Sequence, residues 1–198
     1  MEFRSDPLHA YAQGQFTISQ LGGFVRNYVQ RYVGGDSSYA KGIRSIDCSV
    51  ELIRPKIFNE LLLPDWQIDP GARLSAQYTD EEDILHLDVQ SAGVSYLDYS
   101  LKGIRLRDRS RGNGLQLSVD ELAAGGRRFS DLSLRTLKRM DSLTLELQGT
   151  LMDTTEARFQ LAANLLRTAD TTFKVHWLPS KLIYGAYQLN VPQSGWLK

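Results

Sequence analysis

Hydrophobic and polar residues alternate with a period of two along most of the chain. In DSLTLELQGTL, residues 141–151, three leucines alternate with polar residues. Such alternation places the leucines on one face of a β-strand and the polar residues on the other. The same pattern predicts strands at 45–53, 73–79, 83–90, 94–107, 115–120, 131–135, 142–148, 158–165, 171–177 and 181–191. Because the links between them are short, neighbouring strands are expected to be antiparallel, and the predicted fold is mainly β with roughly ten strands.

Four apolar triplets recur along the chain and indicate an internal repeat. They begin 30, 28 and 30 residues apart, a period that is typical of a stacked array. The triplets are Leu85, Leu87 and Val89; Leu115, Leu117 and Val119; Leu143, Leu145 and Leu147; and Phe173, Val175 and Trp177. Exposing so many large apolar side chains to water is unfavourable in free energy. Their face is therefore expected to pack on a second sheet, to curl on itself or to contact lipid.

Three segments depart from the alternation. Between residues 94 and 107 the apolar positions change parity near Leu97 and near Gly103, which predicts a bulge or bend. Apolar residues with helical spacing predict two short helices in the N-terminal part, near 22–33 and 56–63. Two helices of this length can cover only part of a large sheet.

The composition excludes several classes of function. The 198 residues include 23 Lys and Arg and 23 Asp and Glu, so no net field favours nucleic acid. The single Cys48 excludes an internal disulfide and a thiolate metal cluster, and its alternation with Ile46 and Val50 predicts a small buried strand residue. Residues 1–13 have no signal-peptide apolar region and are expected to be a terminal segment or linker. Residues 14–198 are expected to form a β-rich repeat segment of a longer protein.

The sequence has no motif that supports catalysis. It lacks the GxSxG nucleophile turn, the phosphate-binding Walker loop and the HExxH zinc motif, so the prediction is a non-enzyme with no cofactor and no metal. His86 and His176 alternate onto the polar side of their strands. The series Arg105, Arg107, Arg109 and Arg111 has two interpretations. It is either a charged hairpin that keeps the sheet soluble or a contact for phosphate headgroups or an acidic partner.

Longer segments of the chain share a recurring arrangement of strands and links. They are FTISQLGGFVRNYV at 16–29, LLLPDWQIDPGARLSAQYTDEEDILHLDVQS at 61–91, YLDYSLKGIRLR at 96–107, RFSDLSLRTL at 128–137 and FKVHWLPSKLIYGAYQL at 173–189. Over residues 14–191 they resemble the long, repetitive members of the TamB/AsmA-like family of bacterial envelope proteins. The resemblance implies an elongated, strongly curved antiparallel sheet with a hydrophobic groove on its inner face.

The same resemblance implies a function and a set of partners. The chain would be a periplasmic segment of an inner-membrane-anchored protein that moves phospholipid between membranes or supports outer-membrane protein assembly. The implied partners are phospholipid acyl chains, neighbouring repeats of the parent chain and an outer-membrane barrel protein. The twelve triplet residues would line the groove and solvate acyl chains. The alternative is a compact β-sandwich, with a binding or structural function in its loops.

Overall fold

The alternating segments form strands of a single sheet. In a computed structural model of the chain, the described residues are 2–17, 20, 23, 44–61, 63–79, 81, 84–108, 114–139, 142–153, 155–169, 172–192 and 196–197. They include fifteen strands, all in one sheet. The strands are β1 (Glu2–Arg4), β2 (Leu8–Gln15), β3 (Ser45–Leu52), β4 (Trp66–Ile68), β5 (Ala72–Thr79), β6 (Ile84–Tyr96), β7 (Tyr99–Asp108), β8 (Leu115–Ala124), β9 (Arg127–Arg139), β10 (Ser142–Met152), β11 (Ala157–Ala169), β12 (Thr172–Trp177), β13 (Ser180–Tyr184), β14 (Tyr187–Val191) and β15 (Trp196–Leu197).

Consecutive strands are neighbours over most of the sheet, and every pair is antiparallel. The order is β1-β2-β3-β5-β6-β7-β8-β9-β10-β11-β12-β15, with β4 paired to β6 and the hairpin β13–β14 paired to β11. The predicted antiparallel, mainly β fold is therefore confirmed. Within the described residues β1 and β15 end this path without pairing to each other, so the sheet is open. The 28- to 30-residue repeat corresponds to every second strand of the meander, namely β6, β8, β10 and β12.

The strands extend beyond the segments that alternation predicts. β6, β9 and β11 each have 13 residues, because their end residues also pair with neighbouring strands. Part of the expected linker at 1–13 also lies in the sheet, since β2 pairs along its whole length with β3. In β2, Ala10 and Ala12 are directly opposed to Val50 and Cys48 of β3. Such small residues give only a weak apolar signal in the sequence.

Helical structure is sparse in the described residues. Residues Lys56–Leu61 form the six-residue helix α1, which precedes β4 and lies within the predicted span 56–63. The predicted helix at 22–33 lies outside the described residues, apart from Gly23. A helix of six residues is fewer than two turns and cannot cover a sheet of this width.

An irregular line crosses the sheet between β6 and β9 and explains the parity change seen in the sequence. The regular ladder is interrupted at Ala92, Gly103, Asp120 and Asp131, and Gly103 and Asp131 have positive φ values of 61° and 53°. Between β9 and β10 the register shifts by one residue, between Gln148 and Thr150, as in a β-bulge. We call these positions the offset line.

The offset line keeps apolar side chains on one face of the sheet, although within a strand their sequence positions change between even and odd numbers. On one side of the line the cross-strand partners are Leu106, Leu117, Leu134 and Leu147, and on the other side they are Leu101, Leu122, Phe129 and Leu151. Leu147 and Leu151 are four residues apart in β10, whose pairing with β11 is regular, so they share a face. Directly opposed residues of antiparallel strands also share a face. Both sets therefore belong to one continuous apolar face.

The sequence predicted a bulge or bend near Leu97 and near Gly103 within one segment at 94–107. The interpretation at Leu97 is wrong. Leu97 and Asp98 form a two-residue turn between β6 and β7, so the chain reverses there. Gly103 does mark an irregularity inside β7. Leucine is unusual in a tight turn, and for this reason the sequence did not indicate a hairpin at Leu97.

Candidate functional site

A row of large apolar side chains runs across the middle of the sheet. The register makes Val89, Leu106, Leu117, Leu134, Leu147 and Leu161 successive cross-strand partners in β6 to β11. We call this set the central row. It continues through Leu74, Val50 and Ala10 to β2. With about 4.8 Å between strands, the row over nine strands is about 38 Å long.

The central row is not sealed by other parts of the described structure. Leu147 and Leu74 retain 36% and 37% of their accessible surface, and Leu106, Leu117, Leu134 and Leu161 are partly exposed. In a closed core of two packed layers such side chains would be almost fully buried. The face therefore remains open to solvent along this row.

One corner of the same face is covered. Ile46, Tyr78 and Leu85, opposed on β3, β5 and β6, are only 4%, 4% and 3% exposed. Phe16, which follows β2, packs on this cluster together with Cys48, Ala76 and Leu87. We call Ile46, Tyr78 and Leu85 the covered corner. Cys48 lies beside it and is partly buried, and this burial raises the pKa of its thiol.

The register places the predicted lining residues on the apolar face. Leu85, Leu87, Val89, Leu115, Leu117, Val119, Leu143, Leu145, Leu147, Val175 and Trp177 all belong to it. They differ in burial, since Leu85 and Val119 are buried whereas Trp177 is exposed. The side chain of Phe173 is outside the described ones. Sequence reasoning missed Leu106, Leu134 and Leu161, although the first two lie in the links that it recognised as recurrent.

The opposite face carries most of the charged strand residues, many of them in cross-strand pairs. Asp108, which is fully buried, and Lys138 are exceptions, because they are opposed to Leu115 and Leu143 on the apolar face. Glu51 contacts Arg73 at 2.7 Å, and Lys102 contacts Glu121 at 3.3 Å. Exposed pairs of this kind contribute little to stability, about 0–1 kcal/mol each. Their main consequence is a hydrated face opposite an apolar one, so the two sides of the sheet differ strongly in polarity.

The four predicted arginines separate into two groups. Arg107 Nε lies 3.0 Å from Asp88 Oδ2, and Arg105 Nη2 lies 3.5 Å from Asp120 Oδ2. Both arginines therefore have acidic partners and lie on the polar face, on the other side of the sheet from the central row. Arg109 and Arg111 lie outside the described residues.

Close contacts at two glycines fix the offset line. A Cβ atom on Gly103 would lie 2.0 Å from Oδ2 and 2.8 Å from Cβ of Asp120, and the φ of Gly103 is positive. A Cβ atom on Gly149 would lie 2.6 Å from Leu132 Cδ2 and 3.0 Å from Phe159 Cζ. Gly149 thus lets Leu132 and Phe159 approach over its backbone. Both positions need a residue without a side chain for the apolar face to continue across the line.

Two further observations concern the described part of the chain. It contains no helix that is long and apolar enough to cross a membrane. It also contains no group of three His, Cys, Asp or Glu side chains placed to hold a metal ion.

Comparisons of the chain with models of protein families, with curated proteins and with solved structures found no match.

Proposed function

We propose that this chain is a segment of a TamB/AsmA-like bacterial envelope protein and that its apolar face shields phospholipid acyl chains. The role is non-enzymatic, because solvation of acyl chains needs no catalytic group. The segment would belong to an inner-membrane-anchored parent chain in the periplasm. It would serve phospholipid transport between membranes or support outer-membrane protein assembly.

The observation that carries the proposal is the accessibility of the central row. Apolar surface gains about 25 cal/mol for each Å² removed from water, so an open row of leucines favours any apolar cover. The largest apolar patch on a typical monomer is about 300–600 Å², and larger ones mark interaction sites. At about 38 Å, the row exceeds the roughly 15 Å thickness of one leaflet of the hydrocarbon core. The row is therefore long enough to contact a hydrocarbon chain that spans one leaflet.

The polarity of the two faces supports lipid as the cover. A chain of hydrocarbon needs apolar contacts and no hydrogen bonds, and the central row offers only apolar side chains. The strong curvature that would turn this face into a groove is part of the proposal. The alternative, a compact β-sandwich, needs the same side chains to be buried against a second layer, and the 36% exposure of Leu147 argues against it.

Site-specific photo-crosslinking tests the proposal. A photo-reactive amino acid replaces Leu147 on the apolar face or Gln148 on the polar face, and the protein is irradiated in bacterial cells or with phospholipid vesicles. The matched positions are adjacent in β10, so they differ in face and not in location along the sheet. We expect phospholipid adducts at position 147 and none at 148. Adducts only to protein at 147, or equal lipid labelling at both positions, would exclude an acyl-chain site on this face.

A further inference from the structure

The turn between β6 and β7 exposes a leucine in an unfavourable conformation. Leu97 retains 67% of its accessible surface and has a φ of 49°. It occupies the first position of a two-residue hairpin turn, Leu97–Asp98. Positive φ at this position favours Gly, Asn or Asp, and a leucine there is strained. A strained residue that also exposes its apolar side chain to water benefits neither folding nor solubility, so it indicates a function.

Aromatic side chains surround the base of this turn. The rings of Trp66 and Tyr96 are 4.7 Å apart at an angle of 34°, and β4 pairs with β6 so that the two residues are directly opposed. Tyr99 follows the turn and is 54% exposed. We call Leu97 with Trp66, Tyr96 and Tyr99 the aromatic tip. Tyr and Trp combine an apolar ring with a polar group, and this combination suits the boundary between hydrocarbon and water.

The charges near the aromatic tip define which surface it fits. Asp98 lies in the turn itself, and Asp65 directly precedes Trp66. Within residues 63–69 and 94–102, all of which are described, the only basic side chain is Lys102. It is paired with Glu121 at 3.3 Å. Arg127 and Arg128 lie at the same end of the sheet, at the start of β9 and two strands from β7. Asp65 and Asp98 balance these two arginines in number, so the tip has no net basic cluster of the kind that attracts anionic lipids.

We infer that the aromatic tip inserts into the interfacial region of a bilayer of zwitterionic phospholipid. Leu97 enters the acyl-chain boundary, and Trp66, Tyr96 and Tyr99 lie at the level of the headgroups. This inference adds to the proposed function a place where the apolar face would meet a membrane. It rests on that function only for its biological purpose, because a protein can bind a bilayer at a tip without carrying lipid on its sheet.

Binding to phosphatidylcholine vesicles tests the inference. Wild-type chain should sediment with the vesicles, and adding anionic lipid or salt should change the bound fraction little. Leu97→Asn should lower the partition coefficient about tenfold, since one large apolar side chain is lost from the membrane. Its melting temperature should stay equal or rise, because Asn tolerates positive φ better than Leu. The matched control is Leu137→Asn, at an exposed leucine (45%) on the polar face of β9 far from this turn, which should bind like wild type.

A second variant keeps the test decisive if Leu97→Asn binds less because its fold is altered. In Leu97→Trp, bilayer contact predicts quenching of the new tryptophan by brominated phosphatidylcholine, beyond the quenching seen in wild type. Absence of vesicle binding by wild type, or equal binding by Leu97→Asn, would overturn the inference. Leu97-dependent self-association without vesicle binding would overturn it too, and would make a second copy of the chain the occupant. Lipid crosslinking at position 147 is independent of all these outcomes, so failure of the tip and failure of the groove are distinguishable.

Discussion

The covered corner and the central row belong to the same apolar face, yet they differ in access to solvent. Leu85 in the corner is 3% exposed, whereas Leu147 in the row is 36% exposed. Both are leucines in strands with the same period-two pattern, and both have apolar cross-strand partners. In the corner, Phe16, which directly follows β2, packs on Ile46, Tyr78 and Leu85 although it is far from Leu85 in sequence. An apolar face on a sheet is thus fixed by local alternation, while its cover depends on distant parts of the chain.

The largest expected effect is at the corner. In Leu85→Glu a carboxylate replaces a side chain that is 3% exposed and packed beside Tyr78 and Ile46. An unpaired buried charge costs several kcal/mol, which is a large part of the 5–15 kcal/mol that stabilises a typical domain. We expect a loss of about 4 kcal/mol or more in the free energy of unfolding, measured by urea denaturation. A loss below about 1 kcal/mol would mean that the corner is open like the row, and the comparison would fail.

A smaller effect is expected in the central row. In Leu147→Glu the new carboxylate can reach water, because the position is already 36% exposed. The cost is then mainly the lost apolar contact with Leu134 and Leu161, about 1–2 kcal/mol. The control is Gln148→Glu, which adds the same charge at the neighbouring position on the polar face and should change stability by less than about 0.5 kcal/mol. If Leu147→Glu is as damaging as Leu85→Glu, the row is covered in solution and the sandwich interpretation regains support.

Much of the fold could be predicted from the sequence because alternation is a local property. The strands near Leu117 and Leu145, their antiparallel order and the shared face of the triplets all follow from period two and short links. The turn at Leu97 could not be predicted, because a leucine with positive φ breaks the usual turn chemistry. The contribution of β2 was missed for the opposite reason, since Ala10 and Ala12 are too small to give a strong pattern.

The candidate site could be predicted only in outline. Alternation assigned Leu143, Leu145 and Leu147 to one face, and the structure places them there. It could not show that Leu106 and Leu134 complete the row, because their strands cross the offset line and change parity at Gly103 and Asp131. Nor could it distinguish the burial of Leu85 from the exposure of Leu147. Burial depends on contacts between residues far apart in sequence, which period two does not encode.

The smallest perturbation is a comparison of two thiols, one beside the covered corner and one in the central row. Cys48 lies beside the covered corner, and burial raises the pKa of its thiol, so at pH 8 less of it is the reactive thiolate than in an exposed cysteine. Leu147→Cys in a Cys48→Ala background puts the only thiol in the central row. We expect this thiol to react with a charged, water-soluble maleimide severalfold faster than Cys48 in the wild-type chain.

The pH dependence of the two rates separates ionisation from access. A raised pKa slows Cys48 at neutral pH, and this part of the difference disappears as the pH rises through that pKa, because the thiol is then fully ionised. A difference in steric access persists at all pH values. Adding phospholipid vesicles should slow Leu147→Cys selectively if acyl chains cover the row, and should leave Cys48 unchanged. Equal rates at both positions, over the whole pH range and without lipid, would mean that the corner and the row are equally accessible. Accessibility would then give no reason to assign lipid binding to the row.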